Sequence, residues 1–291
     1  MQRVSIGDVT LAYEDAGQGE PLIQLHGAGF GHHNFGAVTP YLTRHFRVLN
    51  VDQRGFGESD RPRHEYTFES WADDVAALLD ALGIESAHIH GSSMGGPVAV
   101  NFAARHPSRV KGLIVSCSLV KPDRFARISY ALVRSIARSY GVGSQELAQF
   151  ISLCALSREY LEGPDGDDAV QQIADILEVN NDPDVFDRAW QLLAEMDLTP
   201  ILGDVRAPTL IVEASEDFVI TPARMAGGRG GTRELADGIP HAELAVIEGS
   251  SHSHLFEKPG ESATVIVGFL QRLQAAGDPT FSSSAVAGAQ S

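Results

Sequence analysis

Two serines stand side by side between glycines in the segment HIHGSSMGGPVA, residues 88–99. A serine that acts as a nucleophile at a strand-to-helix turn takes a strained backbone, which pushes its oxygen clear of the sheet. Neighbouring chain then passes so close that side chains two positions before and after it are disfavoured, and glycine relieves the crowding. Ser93 has Gly91 and Gly95 at those positions, whereas Ser92 would have His90 and Met94. Ser93 is therefore the candidate nucleophile. Its place at the start of a helix also favours developing negative charge.

The elements that would carry such a turn are legible on both sides of it. RVSI and VTLAY read as an opening hairpin, and PLIQLHG and FRVLNVDQRG as buried strands. SWADDVAALLDALG has apolar residues at helical spacing and stops at Gly83. SAHIHG is the next strand, MGGPVAVNFAARHP the next helix and VKGLIVSCS the strand after that. Strands joined by helices of this length predict a parallel sheet covered on both faces. Helical patterns then dominate to about residue 203, after which APTLIVEAS, AELAVIEGS and GESATVIVGFLQRLQAA restore the alternation. The expected organisation is a split α/β core (1–118 and 204–276), a helical insertion (119–203) and a small, polar, flexible tail (277–291).

Four segments, HGAGF at 26–30, DQRGFGESD at 52–60, GSSMGG at 91–96 and IEGSSHSHLFEKP at 247–259, occur in an order that resembles the α/β-hydrolase fold superfamily. The resemblance is to capped serine esterases and lactonases, and also to carbon–carbon bond hydrolases, and it extends from about residue 2 to residue 275. It implies a mostly parallel central sheet flanked by helices, with a helical cap inserted after the sixth strand. It also implies a base on the loop after the last strand, which is His252 here. His254 is the rival, but would begin the following helix. Ser251 stands where the family usually has glycine.

The orienting acid implied by the family is Asp217, past the strand TLIVEAS, with Glu216 as runner-up; after GLIVSCS no carboxylate appears before Asp123. The implied oxyanion donors are the backbone N–H groups of Met94 and Ala28, with Gly29 an alternative to Ala28. Gly29, Phe30, Phe150, Phe186 and Trp190 are the expected substrate contacts. Asp52, Arg54 and Asp60 are expected to form a buried structural ion pair, and His26 and His90 to serve as structural hydrogen-bonding residues. In the insertion, Arg124, Arg127, Arg134 and Arg138 form one helical stripe, expected to be solvated. Phe125, Ile128, Leu132 and Ile136 form another, expected to be buried.

The expected reaction is hydrolysis of a carboxylic ester or lactone through an acyl-enzyme. Carbon–carbon bond hydrolysis on the same triad is an alternative, as is a ligand receptor with slow turnover. Related dehalogenases and epoxide hydrolases use an aspartate where this chain has Ser93. No cofactor is expected, and no metal: His32 and His33 have no carboxylate or cysteine at ligand spacing. Cys117 and Cys154 are read as free thiols.

Twenty-two basic against 38 acidic residues give a net charge of −16, which repels phosphate backbones and anionic membranes. The expected partner is thus a small-molecule substrate, with neither nucleic acid nor membrane. The first twenty residues lack the apolar run of a secretory signal, and the expectation is a cytoplasmic protein.

Overall fold

Successive strand residues point to opposite faces of a sheet, and here that alternation sorts the apolar side chains into two cores. The computed structural model describes residues 1–63, 66–220 and 231–277. Its strands are β1 (Gln2–Ser5), β2 (Thr10–Ala16), β3 (Pro21–Leu25), β4 (Arg47–Asp52), β5 (Ala87–Ser92), β6 (Val110–Ser116), β7 (Thr209–Ala214) and β8 (Ala242–Ile247). They form one sheet in the order β1-β2-β4-β3-β5-β6-β7-β8. The β1–β2 and β2–β4 pairs are antiparallel, and the pairings from β3 onward are parallel.

Among the described residues the helices before the insertion are α1 (Thr39–Leu42), α2 (Phe68–Ala81) and α3 (Gly95–Arg105). Between β6 and β7 run α4 (Arg124–Tyr140), α5 (Gln145–Ala155), α6 (Arg158–Leu161), α7 (Gly166–Asn180) and α8 (Pro183–Glu195). The chain then adds α9 (Gly231–Gly238), α10 (His254–Glu257) and α11 (Pro259–Gly277). Ile23, Leu113 and Ile211 enter one core with Trp71 and Leu78 of α2 and Phe102 of α3. Their chain neighbours Leu22, Ile114 and Leu210 enter the other with Leu42 of α1 and Phe269 and Leu270 of α11. The expected tail lies outside the described residues from 278 onward. Among the described residues, no helix is long and apolar enough to cross a membrane.

The helical insertion has an apolar centre of its own, with Leu147, Ile151, Ile173, Leu177 and Phe186. It is tied to the sheet through the end of α7. The Gly57 N–H donates to the Asn180 carbonyl at 2.9 Å, and Asn181 Nδ2 donates to the Gly29 carbonyl at 2.9 Å. The loops after β3 and β4 are thereby held against one helix end.

Two expectations about side-chain partners are corrected. The face of α4 turned inward carries Ala126, Tyr130 and Val133, while Phe125, Ile128 and Leu132 are exposed. Arg134 and Arg138 are not simply solvated, because both bind Asp187 of α8. Neighbouring α8 thus selects the buried stripe. Nor do Asp52, Arg54 and Asp60 form an ion pair among themselves. Asp52 accepts from the backbone N–H groups of His32 and Glu58 and pairs with the His32 ring at 2.9 Å. Arg54 makes a two-pronged pair with Asp74 of α2, and Asp60 accepts from Arg3 and from the Thr10 N–H. The planar guanidinium finds its matching carboxylate on the adjacent helix rather than two residues away.

Candidate active site

Ser93 follows β5 directly, with φ at +51°, in the left-handed region that side chains rarely adopt. Its N–H donates to the Ser116 carbonyl at the end of β6, and its carbonyl accepts from the Gly96 N–H, both at 2.9 Å. These bonds hold the turn in its strained form. A Cβ on Gly91 would sit 2.2 Å from the Gly95 carbonyl oxygen, and one on Gly95 only 1.9 Å from the Leu25 carbonyl oxygen. The two glycines flanking Ser93 are therefore steric requirements of the turn.

Ser93 Oγ lies 3.0 Å from His252 Nε2, and His252 Nδ1 lies 2.8 Å from Asp217 Oδ2. A carboxylate can only accept, so Nδ1 carries the proton and Nε2 is left to accept from the serine hydroxyl. Asp217 is buried, and its other oxygen accepts from the N–H groups of Val219 and Ile220, each at 2.8 Å. This turn after β7 fixes the carboxylate so that Oδ2 faces the imidazole. Glu216, its rival, is exposed, while Glu213 is buried and bound by the Thr232 hydroxyl.

The histidine loop is held from several sides. The Gly249 N–H donates to Ser215 Oγ at 2.8 Å and the Glu216 N–H to the Ser250 carbonyl at 2.9 Å. Glu257 accepts from the Ser251 N–H with one oxygen and from the Ser157 N–H, at the start of α6, with the other. Ser251 has no positive φ, so the conformation seen does not require glycine there. The Glu257 clamp spans 100 residues of chain, and the motif that carries the glutamate gives no local sign of its distant partner.

Ala28 lies beside Ser93 in the cavity wall, and Met94 follows it at the entry to α3. Neither N–H is engaged in a hydrogen bond among the described residues. The loop bearing Ala28 is shaped by Asn34, whose Oδ1 accepts from the Gly27 N–H at 2.7 Å. A side chain seven residues downstream gives no local signal of that bond.

Ser93 and His252 open into a cavity of about 390 Å³. Phe30, Phe150 and Trp190 line it, together with Tyr130, Val133 and Ile173. Gly29 and Phe186, also expected as contacts, are not in its wall. A Cβ on Gly29 would meet Leu177 and Phe186, and Phe186 itself is fully buried against Trp190 in the core of the insertion. Cys117, buried at φ +46°, lies with its sulfur within 4.8 Å of ligand atoms of Asp217 and His252. Burial, followed by the Asp217 charge, pushes its thiol well above the usual range. Asp217 and His252 are already bonded to each other in this cluster.

Three other buried histidines, His26, His90 and His254, are bonded away from Ser93. His26 joins two loops, donating to the Gly27 carbonyl and accepting from the Gln53 N–H. His90 bonds Gln24 and Ser116, and His254 bonds Ser262. Burial lowers His26 to about 4 and both His90 and His254 to about 3. Unfolded imidazoles titrate near 6.5. Between that value and about 4 the unfolded chain binds more protons than the folded one, so stability declines as pH falls and is unaffected by these groups above 6.5. Urea unfolding at pH 7.5, 6 and 5 is expected to lose roughly 1.4 kcal/mol per pH unit below 6 for each of the three imidazoles. A stability independent of pH over that interval would contradict their neutral burial.

A family model described as alpha/beta hydrolase fold matches residues 20–259. The 2-hydroxy-6-oxo-6-phenylhexa-2,4-dienoate hydrolase of Comamonas testosteroni is 30% identical over 280 residues, covering 92% of this chain and 93% of its own. Among solved structures, the enol-lactonase from Burkholderia xenovorans LB400 superposes with a TM-score of 0.82 at 25% identity, covering 93% of this chain and 100% of that one. A thermophilic esterase from Thermogutta terrifontis superposes with a TM-score of 0.80 at 27% identity, covering 94% and 99%.

Proposed function

Because the chain belongs to the alpha/beta hydrolase fold family, we propose that it is a serine hydrolase cleaving a carboxylic ester or lactone through an acyl-enzyme. The observation that carries this reading is the continuous bonded path from Ser93 through His252 to Asp217, opening on a cavity. Ser93 Oγ attacks the carbonyl carbon as its proton passes to His252 Nε2, and the Ala28 and Met94 N–H groups receive the oxyanion. The resulting imidazolium is stabilised by Asp217 and gives its proton to the departing alkoxide. Water then enters by the reverse of these steps and releases the acid. The helices α4–α8 act as a cap that keeps bulk water from the acyl-enzyme.

Cleavage of a carbon–carbon bond in a vinylogous diketone on the same triad is the second reading, favoured by the likeness to the Comamonas hydrolase. A fluorophosphonate probe separates either reading from a non-catalytic one. It should form a phosphonyl adduct on the peptide containing Ser93, with loss of fluoride, detected by mass spectrometry. Turnover on an ester and lactone panel should then exceed turnover on vinylogous diketones. Absence of the adduct, or an adduct on another serine, would overturn the proposal; faster diketone cleavage would select the second reading.

A further inference from the structure

Tyr130 is 3% exposed, on the inward face of α4, and shares the cavity wall with Ser93 and His252. Its ring centroid lies 5.3 Å from that of Trp190, and Val133, Ile173 and Val219 continue an apolar surface around it. A phenylalanine would serve that packing equally well. The hydroxyl is the part the fold does not use.

Buried tyrosine hydroxyls ordinarily find a partner. Tyr13 and Tyr66 follow the rule, donating to Gln2 Oε1 at 3.0 Å and to the Pro62 carbonyl at 2.8 Å. The Tyr130 hydroxyl has no hydrogen bond among the described residues. The nearby Asp217 carboxylate is already engaged by His252 and by the N–H groups of Val219 and Ile220. Burial, followed by the Asp217 and Asp123 charges, pushes the phenol up, so it stays a donor at any working pH.

We infer that the Tyr130 hydroxyl contacts the substrate, donating to an acceptor oxygen on an otherwise apolar chain or ring. This rests on the esterase or lactonase reading and narrows its substrate class. The preferred substrate has an ether, keto or hydroxyl oxygen beyond the scissile carbonyl, in place of a plain hydrocarbon chain. A site with a buried donor disfavours the analogue that leaves that donor unpaired.

The test compares the wild type with Tyr130→Phe on matched esters. One series takes p-nitrophenyl hexanoate and its three analogues with an ether oxygen at carbon 3, 4 or 5. The other takes hexanoates of butanol and of its ether analogues, so that both sides of the scissile bond are scanned. The ratio of the two proteins on each ester cancels intrinsic reactivity. The expected result is a loss of about tenfold in kcat/KM at one oxygen position, with the all-carbon esters changed less than about twofold. Calorimetric binding of the same esters to Ser93→Ala and to Ser93→Ala/Tyr130→Phe should show the same selective loss, without turnover.

Equal losses on every ester, or none on any, would overturn the inference. Fluorophosphonate labelling run in parallel keeps the two failures apart. A wild type that does not label counts against the esterase reading, whereas labelling in both proteins with identical ester profiles counts against the Tyr130 contact.

Discussion

Replacing Ser93 with alanine is expected to lower kcat on the best ester by about 10⁶ while leaving the fold intact. On the proposed mechanism the loss is this large because the acyl-enzyme has no other route. His252 Nε2 would face a methyl group, and the oxyanion donors would have only attack by water to stabilise. KM should move little, since the cavity wall is otherwise unchanged. The melting temperature should stay within about 2 °C, because the substitution removes one oxygen at a site where serine is already strained. Full activity in Ser93→Ala would end the nucleophile assignment.

The second large effect is expected from Asp217→Asn, at roughly 10⁴ in kcat. The hydrogen bonds in the turn after β7 determine why. The N–H groups of Val219 and Ile220 both point at one carboxylate oxygen, so an asparagine must place its carbonyl there and its NH2 toward His252. The imidazole nitrogen facing that NH2 must then accept, which moves the ring proton to Nε2, opposite Ser93. A base protonated on the wrong nitrogen cannot take the serine proton. Turnover in Asp217→Asn within tenfold of wild type would show that the ring is not held by this carboxylate.

What could be read beforehand follows from how local each constraint is. Gly91, Ser93 and Gly95 are legible because the crowding that demands glycine arises within five consecutive residues and the strands beside them. The strands and major helices are legible because their periodicity mirrors burial on one or two faces. His252 and Asp217 are legible from motif order, and His254 is set aside only by its place at the start of the next helix, while nothing local separates Asp217 from Glu216. Burial does: His254 is enclosed against Ser262, and Glu216 faces water.

Partners chosen across the fold were harder. Arg54 pairs with Asp74 because α2 passes beside the loop, a distance that spacing cannot encode. On α4 two apolar stripes compete, and only the presence of α8 decides that Tyr130 rather than Leu132 turns inward. Phe186 turns into the core of the insertion for the same reason. An aromatic residue on an amphipathic helix looks the same whether it lines a cavity or fills the space behind one.

Glu257 gives the architecture a mechanical property. One of its oxygens holds the start of α6 and the other steadies the segment that carries His252. Lifting the roof at that corner unloads half of a carboxylate whose remaining half holds the backbone one residue before His252. The roof and the loop that carries His252 are thus joined at this corner through one side chain, alongside the Ser253 N–H bond to the Ala155 carbonyl.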